Sequence, residues 1–323
     1  MLLSGAHVER DDSIGATDAT QTDSVTNELM VQGLPVPKND AFDYKNNVNI
    51  DSDFDLNADS LSLKVDYQLD SATITSLSSW NDYDYSVKYD ADASQLDVLE
   101  IIGDHRTGEF WSQELRLTSE LDGPMQYLAG VYYAYEKLTR KDGGDGFIQI
   151  GDDMLAVASA ELSPAVLLAV QPGDNVFLNN TWETETFAVF GQATYTFAEV
   201  WNVTAGLRYT NETKDADLFT EPFSTSALAG TGNALVERAF GAIDESFNRE
   251  KDGFTGLLSL SYEVTADVML FTSISTGGKS GGFNGVAAID VPTEFDDEES
   301  TNYELGLKSQ WFDNNLQVNA TAF

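Results

Sequence analysis

The chain has 323 residues, enough for one large domain or two ordinary ones, with 54 acidic residues against 17 basic and a formal net charge of -37. It has no cysteine, so a disulfide framework, a thiolate zinc site and a thiol nucleophile are excluded, and with two histidines, His7 and His105, a histidine triad or multi-histidine metal site is barely available. Such a charge repels phosphate backbones and leaves no polybasic surface for anionic lipid, which excludes nucleic-acid binding.

In chain order, residues 1–59 are polar and poor in periodicity, and read as a long loop or the remnant of an extracellular loop. The opening Met1-Leu2-Leu3-Ser4 has no basic region and too short an apolar run for a signal peptide. Asp51, Asp53, Asp55 and Asn57 have the spacing that starts a calcium loop. Leu56 stands at its glycine and Ser62 at its closing acid, so an EF-hand is excluded.

From about residue 60 the sequence alternates with period two. Leu61, Leu63, Val65, Tyr67 and Leu69 fall on one face, with Ser62, Lys64, Asp66 and Gln68 on the other. Trp201, Val203, Ala205, Leu207 and Tyr209 repeat the pattern, as do Leu258, Leu260, Tyr262 and Val264, and then Tyr303, Leu305 and Leu307. This is the strand period, not the helical one. Residues 72–80 and 187–197 mix the two faces. The most apolar stretch, Met154 to Val170, is interrupted by Glu161 and Pro164 and is no transmembrane helix.

The connections alternate between two lengths. Short turns are expected at Asp70-Ser71, Asp122-Gly123-Pro124, Ala198-Glu199, Thr265-Ala266-Asp267 and Asp313-Asn314. Between them lie long polar segments at 90–108, 141–180, 220–250 and 277–299. An antiparallel meander with one short-turn end and one long-loop end is the layout of a transmembrane β-barrel. Aromatics cluster at strand ends (Trp80 and Tyr83, Phe110 and Trp111, Tyr132, Tyr133 and Tyr135, Trp182, Trp201, Trp311 and Phe312), as in interfacial girdles. The polar face is too polar for a packed interior, which favours a membrane barrel over a soluble one.

Catalytic motifs fail on their own terms. Gly277-Gly278-Lys279-Ser280 lacks the first glycine of a phosphate loop, since position 273 is serine. Gly278-Lys279-Ser280-Gly281-Gly282 has the form of a nucleophile elbow, but no histidine follows His105. Asp142-Gly143-Gly144-Asp145-Gly146 has part of a calcium β-roll repeat, occurs once, and reads as a flexible loop tip. No catalytic, cofactor-binding or metal-ligating residue is assigned, no cofactor is expected, and the chain is read as a non-enzyme.

Three segments resemble the TonB-dependent outer-membrane receptor family. Residues 271–284, from Phe271 through Gly277-Gly278-Lys279-Ser280-Gly281-Gly282 to Phe283-Asn284, resemble its "Y-x-S-x-S-x-G-[FY]-K-x-G-G-F-N" strand, with Gly278 in place of an aromatic. Residues 298–309, with Asn302, Tyr303, Glu304, Gly306, Lys308 and Ser309, resemble "P-E-x-x-x-N-Y-E-x-G-x-K-S"; Asp297 stands where the family often has proline. Phe110 through Gln113, Glu114, Leu115, Arg116 and Leu117, followed by Gly130, Tyr132 and Tyr133, resembles the "F-x-Q-E-[LI]-R-[LV] … G-x-Y-Y" hairpin.

The resemblance covers residues 60–323 and implies an all-β, antiparallel up-and-down transmembrane barrel. It would be incomplete, with about ten strands of an expected ~22, short periplasmic turns and long extracellular loops. Leu316, Val318 and Ala320 lead to Phe323 out of phase, so truncation is expected, with the plug domain absent. About ten strands leave two unpaired edges, and no stable pore is expected from this part alone.

The resemblance further implies a part of an outer-membrane active-transport receptor that binds a scarce nutrient, a ferric siderophore or similar iron complex, and imports it with TonB-derived energy. The partners implied are the TonB–ExbB–ExbD energy-coupling complex, reached through a missing N-terminal part, a small nutrient ligand and the lipid bilayer. Ligand contacts would lie in the loops at 141–180, 220–250 and 277–299. Glu304, Gly306 and Lys308 would face the lumen. A passive porin or structural outer-membrane barrel, and a soluble β-rich adhesin or carbohydrate-binding protein, are the other readings.

Overall fold

A computed structural model describes residues 1–12, 29–34, 48–161, 167–285 and 291–323, with the side chains of 158–161 outside the description. Pro164 and most of the segment between residues 12 and 48 therefore lie outside the described residues.

The main sheet has a path of eleven strands, each hydrogen-bonded to its neighbour in sequence order. They are β1 (Leu2–Asp12), β2 (Asp53–Gln68), β3 (Ala72–Asp90), β4 (Leu99–Ser119), β5 (Met125–Lys141), β7 (Asn175–Phe197), β8 (Trp201–Phe223), β9 (Ile243–Thr265), β10 (Val268–Lys279), β13 (Glu298–Trp311) and β14 (Leu316–Ala322). A short β6 (Ile148–Ile150) bridges β4 and β7, and β11 (Gly282–Phe283) pairs with β12 (Glu294–Phe295) in a separate two-stranded sheet. All pairings are antiparallel, the meander of a barrel wall. β1 and β14 end the path, each with one partner among the described residues.

The five expected short turns all join consecutive strands. Two of them hold non-glycine residues at positive φ, Ala198 (51°) with Glu199 (60°) and Phe312 (55°) through Asn314 (67°). Tight hairpin connections demand that twist.

Two expectations need correction. Residues 1–59 are not one loop: Leu2–Asp12 pairs along its length with Lys64 to Phe54, and β2 begins at Asp53. The path of eleven strands agrees with the expected count of about ten, but it starts well before residue 60. The long connections are also shorter than the polar segments that marked them. β7, β8 and β9 each run for 23 residues, about twice what a tilted strand needs to cross a bilayer.

The extra length lies on one side of an apolar band. On the outward face of β7, Phe197, Tyr195, Ala193, Gly191, Val189 and Phe187 give way to Glu185 and Glu183. Their partners on β8 run from Trp201 through Tyr209 to Asn211, Thr213 and Asp215. On β9 the series runs from Tyr262 through Leu260, Leu258 and Phe254 to Asp252, Glu250 and Asn248. The three strands change from apolar to charged at one level, as a lipid boundary requires.

Aromatic pairs mark both boundaries. Trp201 stacks on Phe197 (6.1 Å) and Tyr262 (4.2 Å) at the short-turn end; Trp111 meets Tyr133 (5.3 Å) and Tyr209 meets Phe254 (5.1 Å) at the other. Glu183, Glu185, Asp215, Glu250 and Asp252, outward beyond the band, contribute to the net negative charge. No helix among the described residues is long and apolar enough to cross a membrane, which says nothing of a barrel that crosses with strands.

The long connections are not merely polar loops. Those between β3 and β4, β5 and β7, and β8 and β9, with Leu29 from the connection between β1 and β2, build a cap with its own apolar core. One cluster gathers Leu29, Leu96, Val98 and Val157; the other gathers Ile150, Val170, Val176 and Val236. A helix at Met154–Glu161 supplies Val157, with Met154 packed against both clusters, and a second at Leu235–Ala239 supplies Val236. Asp142 and the glycines after it are likewise no free tip. Its carboxylate accepts from the Gly144 N–H (2.7 Å) and from the Leu178 N–H on β7 (3.0 Å).

Candidate functional site

The inward face of the wall carries two clusters of chemistry. The first crosses β1 to β5 at one level. Arg106 on β4 and Arg140 on β5 are direct partners in the ladder and would repel each other alone. Asp104, whose side chain is 7% exposed, accepts two hydrogen bonds from each: 3.0 and 2.7 Å from Arg106, 2.9 and 3.0 Å from Arg140. Paired planar forks of this kind fix both guanidinium planes.

Aromatic rings continue the row. Arg106 lies over Tyr85 (5.4 Å), Tyr85 neighbours Tyr83 and Phe54, Arg10 lies over Phe54 (5.8 Å), and Arg140 lies over Phe147 (4.4 Å). Two guanidiniums share one buried carboxylate here, while Arg10 is paired with Asp12 and Glu136 lies near Tyr83, so the row sets fixed guanidinium forks beside aromatic faces with its charges nearly matched. Such forks are suited to pairing with a planar or anionic group. Lower on the same face, Arg208 lies 5.5 Å from both Tyr132 and Phe190.

The second cluster holds the described parts of the connection between β10 and β13, residues 280–285 and 291–297, against the inward face as a strap. Asp297 is its anchor. It accepts the Gly281 N–H (2.8 Å), Arg249 Nη2 (2.9 Å) and Lys251 Nζ (2.9 Å). The Gly281 amide, followed by Lys251 and Arg249, holds the Asp297 carboxyl well below the usual carboxylate range. Arg249 also pairs with Glu294, and Lys214 donates to the Gly281 carbonyl (2.8 Å).

Farther along the strap, Trp182 donates to the Phe283 carbonyl (3.3 Å) and Asn180 to that of Gly285. Phe283 packs on Phe247, Ala216 and Leu218. At Gly281 an added Cβ would sit 2.1 Å from the Phe295 carbonyl oxygen, so the close approach itself demands glycine.

The resemblance motifs fall on these parts. Tyr303, Leu305 and Leu307 face outward, while Glu304, Gly306 and Lys308 face the lumen as expected. A Cβ at Gly306 would strike the Phe271 ring at 2.3 Å, and Lys308 lies over that ring at 5.5 Å. In the third motif Glu114 and Arg116 pair on the inward face (3.4 Å), and Gln113 faces out, where its amide bonds Ser76 (3.0 Å) and Ser78 (2.5 Å).

Ser280, the serine of the failed elbow, donates to Glu212 and has no histidine beside it. The two histidines sit far apart, each with one aspartate: His7 with Asp59 (2.8 Å) and His105 with Asp84 (2.9 Å). Asp53 and Asp55, from the failed calcium loop, lie on a strand and meet Asp11 across the ladder, all three exposed.

Sequence reasoning placed ligand contacts in the loops and missed the Asp104 row, which lies on extended strands. The alternation of Asp104, Arg106 and Gly108 was its one available signal. Asp297 was noticed as a departure from the motif, without a role.

A strand wall with a lipid-facing apolar band, a polar lumen face and a capped, long-loop end defines an outer-membrane-type β-barrel. Residues 5–323 match the family described as TonB dependent receptor-like, beta-barrel, and the chain belongs to that family. Its members are transport receptors of the outer membrane, not enzymes.

Solved structures share the fold. The ferric yersiniabactin uptake receptor FyuA from Yersinia pestis is 20% identical with a TM-score of 0.61, over 84% of this chain and 36% of its own. The siderophore receptor PiuA from Acinetobacter baumannii is 15% identical with a TM-score of 0.61, over 99% and 46%. The ferric-catecholate import receptor Fiu from E. coli K12 is 13% identical with a TM-score of 0.62, over 99% and 47%. The chain thus spans less than half the length of these structures.

Proposed function

We propose that the chain forms part of the barrel of a receptor that imports a ferric siderophore, or a similar iron complex, across the Gram-negative outer membrane. Energy would come through TonB with ExbB and ExbD. Family membership supports import by a TonB-dependent route. The observation that carries the ligand reading is the Arg106–Asp104–Arg140 row with Tyr83, Tyr85 and Phe54. Ferric chelates present planar, electron-rich oxygen ligands, and those of catecholate type carry net negative charge; fixed guanidinium forks beside aromatic faces complement both.

The wall would supply recognition and no bond-making. Ligand entering at the cap would meet the arginine row and displace water from the rings, and translocation would follow from energy delivered elsewhere in the receptor.

The test is ligand binding by the full-length gene product in detergent, read by tryptophan fluorescence against a panel of ferric catecholate, hydroxamate and phenolate chelates. Arg106→Met leaves Arg140 on Asp104. It should weaken the bound chelate about tenfold or more, the scale of one charged hydrogen-bonding group. Failure of every chelate to bind, or binding indifferent to Arg106→Met and Tyr85→Ala together, would reject the ligand reading.

A further inference from the structure

The wall has a slot. The β9–β10 ladder stops at Leu257 and Ser275, whereas the β8–β9 ladder runs on to Ile243 and the β10–β13 ladder to Lys279. Above Ser275 the two strands part. The Gly256 N–H, which would have bonded to backbone, is met by Thr276 Oγ1 (2.9 Å). Among the described residues no strand pairs with that edge of β9 higher up.

The opening has a volume of about 290 Å³ and is lined from both faces of the wall, by Phe254 and Glu299 outside and by Thr210 and Lys279 inside. It begins at Thr255 and Thr276, just inside the edge of the apolar band, and opens past Phe254 towards the level of lipid headgroups. That height is where unpaired backbone edges are tolerated, because water or a polar ligand can satisfy them.

The lining selects a chemistry. Hydroxyls of Thr276, Ser300 and Thr301 can both donate and accept, Glu298 and Glu299 accept, and Lys279 donates. Lys279 makes no ion pair among the described residues, although the chain is strongly acidic. Phe254, 65% exposed, offers one apolar face. Hydrocarbon does not suit so polar a slot. An anion is disfavoured, because Glu212, Asp297, Glu298 and Glu299 outnumber Lys251 and Lys279. A bare metal ion is disfavoured too: Asp297 and Glu212 are already bonded within the protein, and among the described residues the carboxylates that converge to ligand distance are Asp11, Asp53 and Asp55, elsewhere.

A group with many hydroxyls and one apolar ring face matches every element. The volume, just below the usual small-molecule range of roughly 300–1,000 Å³, suits a single ring. We propose that the slot between β9 and β10 binds one sugar ring, from a glycolipid headgroup of the outer leaflet or from a free saccharide. This goes beyond the import reading and does not depend on it.

The test uses the full-length gene product from outer membranes and two probes. One is the soluble oligosaccharide released from lipopolysaccharide. The other is intact lipopolysaccharide in phosphatidylethanolamine vesicles. Saturable binding of either is expected, weakened about tenfold by Lys279→Met and by Glu299→Gln, the scale of one charged hydrogen bond. Lys279→Arg should retain it. Binding of both probes assigns the sugar itself; binding of the vesicles alone assigns the glycolipid. Both variants remove exposed side chains, and an unchanged heat-dependent electrophoretic shift confirms the fold. No saturable binding of either probe, or binding indifferent to both substitutions, overturns the proposal. Chelate uptake is not a readout, so its failure and that of the import reading are separable.

Discussion

The cap and the strap both cover the long-loop end of one barrel wall, yet opposite forces hold them. The cap is packed: Leu96, Val170 and Val176 are fully buried, and its acids are tied to backbone amides. Asp90 accepts from the N–H groups of Asp92 (2.9 Å), Ala93 (2.8 Å) and Asn49 (3.3 Å), and Asp92 from those of Val98 (3.2 Å) and Leu99 (2.9 Å). The strap is ionic, with Asp297 gathering Arg249, Lys251 and the Gly281 amide. Apolar packing is non-directional and is not weakened by ionic screening, whereas ion pairs near solvent weaken with salt and titrate. A receptor mouth built of both has one part fixed and one part that conditions can release.

The contrast breaks most sharply by substitution. Leu96→Ala empties the centre of one cap cluster and should destabilise the cap locally by about 2–5 kcal/mol, read as faster amide exchange over 92–99 with residues 281–285 unchanged. Asp297→Asn should do the reverse, raising exchange at 281–285 by roughly tenfold or more, because Arg249 and Lys251 lose their countercharge and Lys251 meets an amide NH2 in place of Oδ2. Uniform change across both regions in either variant would show them to be one unit.

Acidity should sharpen the comparison by moving the two regions in opposite directions. Burial, and then Asp92, pushes the Asp90 carboxyl up to about 6 from its ordinary 3.8. The folded cap then takes up a proton that the unfolded segment does not, and gains stability as pH falls through about 6 towards 4. Asp297 is shifted down instead. Its contribution is present above the ordinary value of 3.8 and is lost as pH falls below it. Exchange measured at pH 7.5, 5 and 3.5 should show the cap tightening first and the strap loosening last. Raising salt to 1 M, where the screening length is about 3 Å, should loosen the strap and leave the cap unchanged. The smallest effect belongs to Lys137 and Glu183, paired at 2.6 Å on the outward face, where Lys137→Ala should cost no more than about 1 kcal/mol in thermal unfolding.

The strands were legible where one face is apolar and the other wet, as in Leu61 to Leu69 or Trp201 to Tyr209. Beyond the band both faces are polar, and the alternation loses its signal. Arg249, Glu250, Lys251 and Asp252 are all charged, yet they continue β9. For the same reason β1 went unread: Gly5, His7, Glu9 and Asp11 share its outward face with little hydrophobic contrast. The cap was hidden because its apolar residues are scattered among glycines and acids and meet only through tertiary packing.

The arginine row required register. Nothing local says that Arg140 stands opposite Arg106 with Asp104 between them, since the Asp104–Arg140 contact spans 36 residues. Asp297 was visible as a departure from a motif, and its partners on β9 became visible only with the strap folded inward.

The apolar face of this wall meets lipid and the polar face meets water. The chain has no cysteine, so single cysteines can be placed at will from Val203 to Thr210 on β8 and spin-labelled in outer-membrane vesicles. Collision with oxygen and with a water-soluble nickel chelate should alternate with period two: oxygen favoured at 203, 205, 207 and 209, nickel at 204, 206, 208 and 210. Loss of the alternation, or its reversal, would contradict the barrel orientation on which every functional statement above depends.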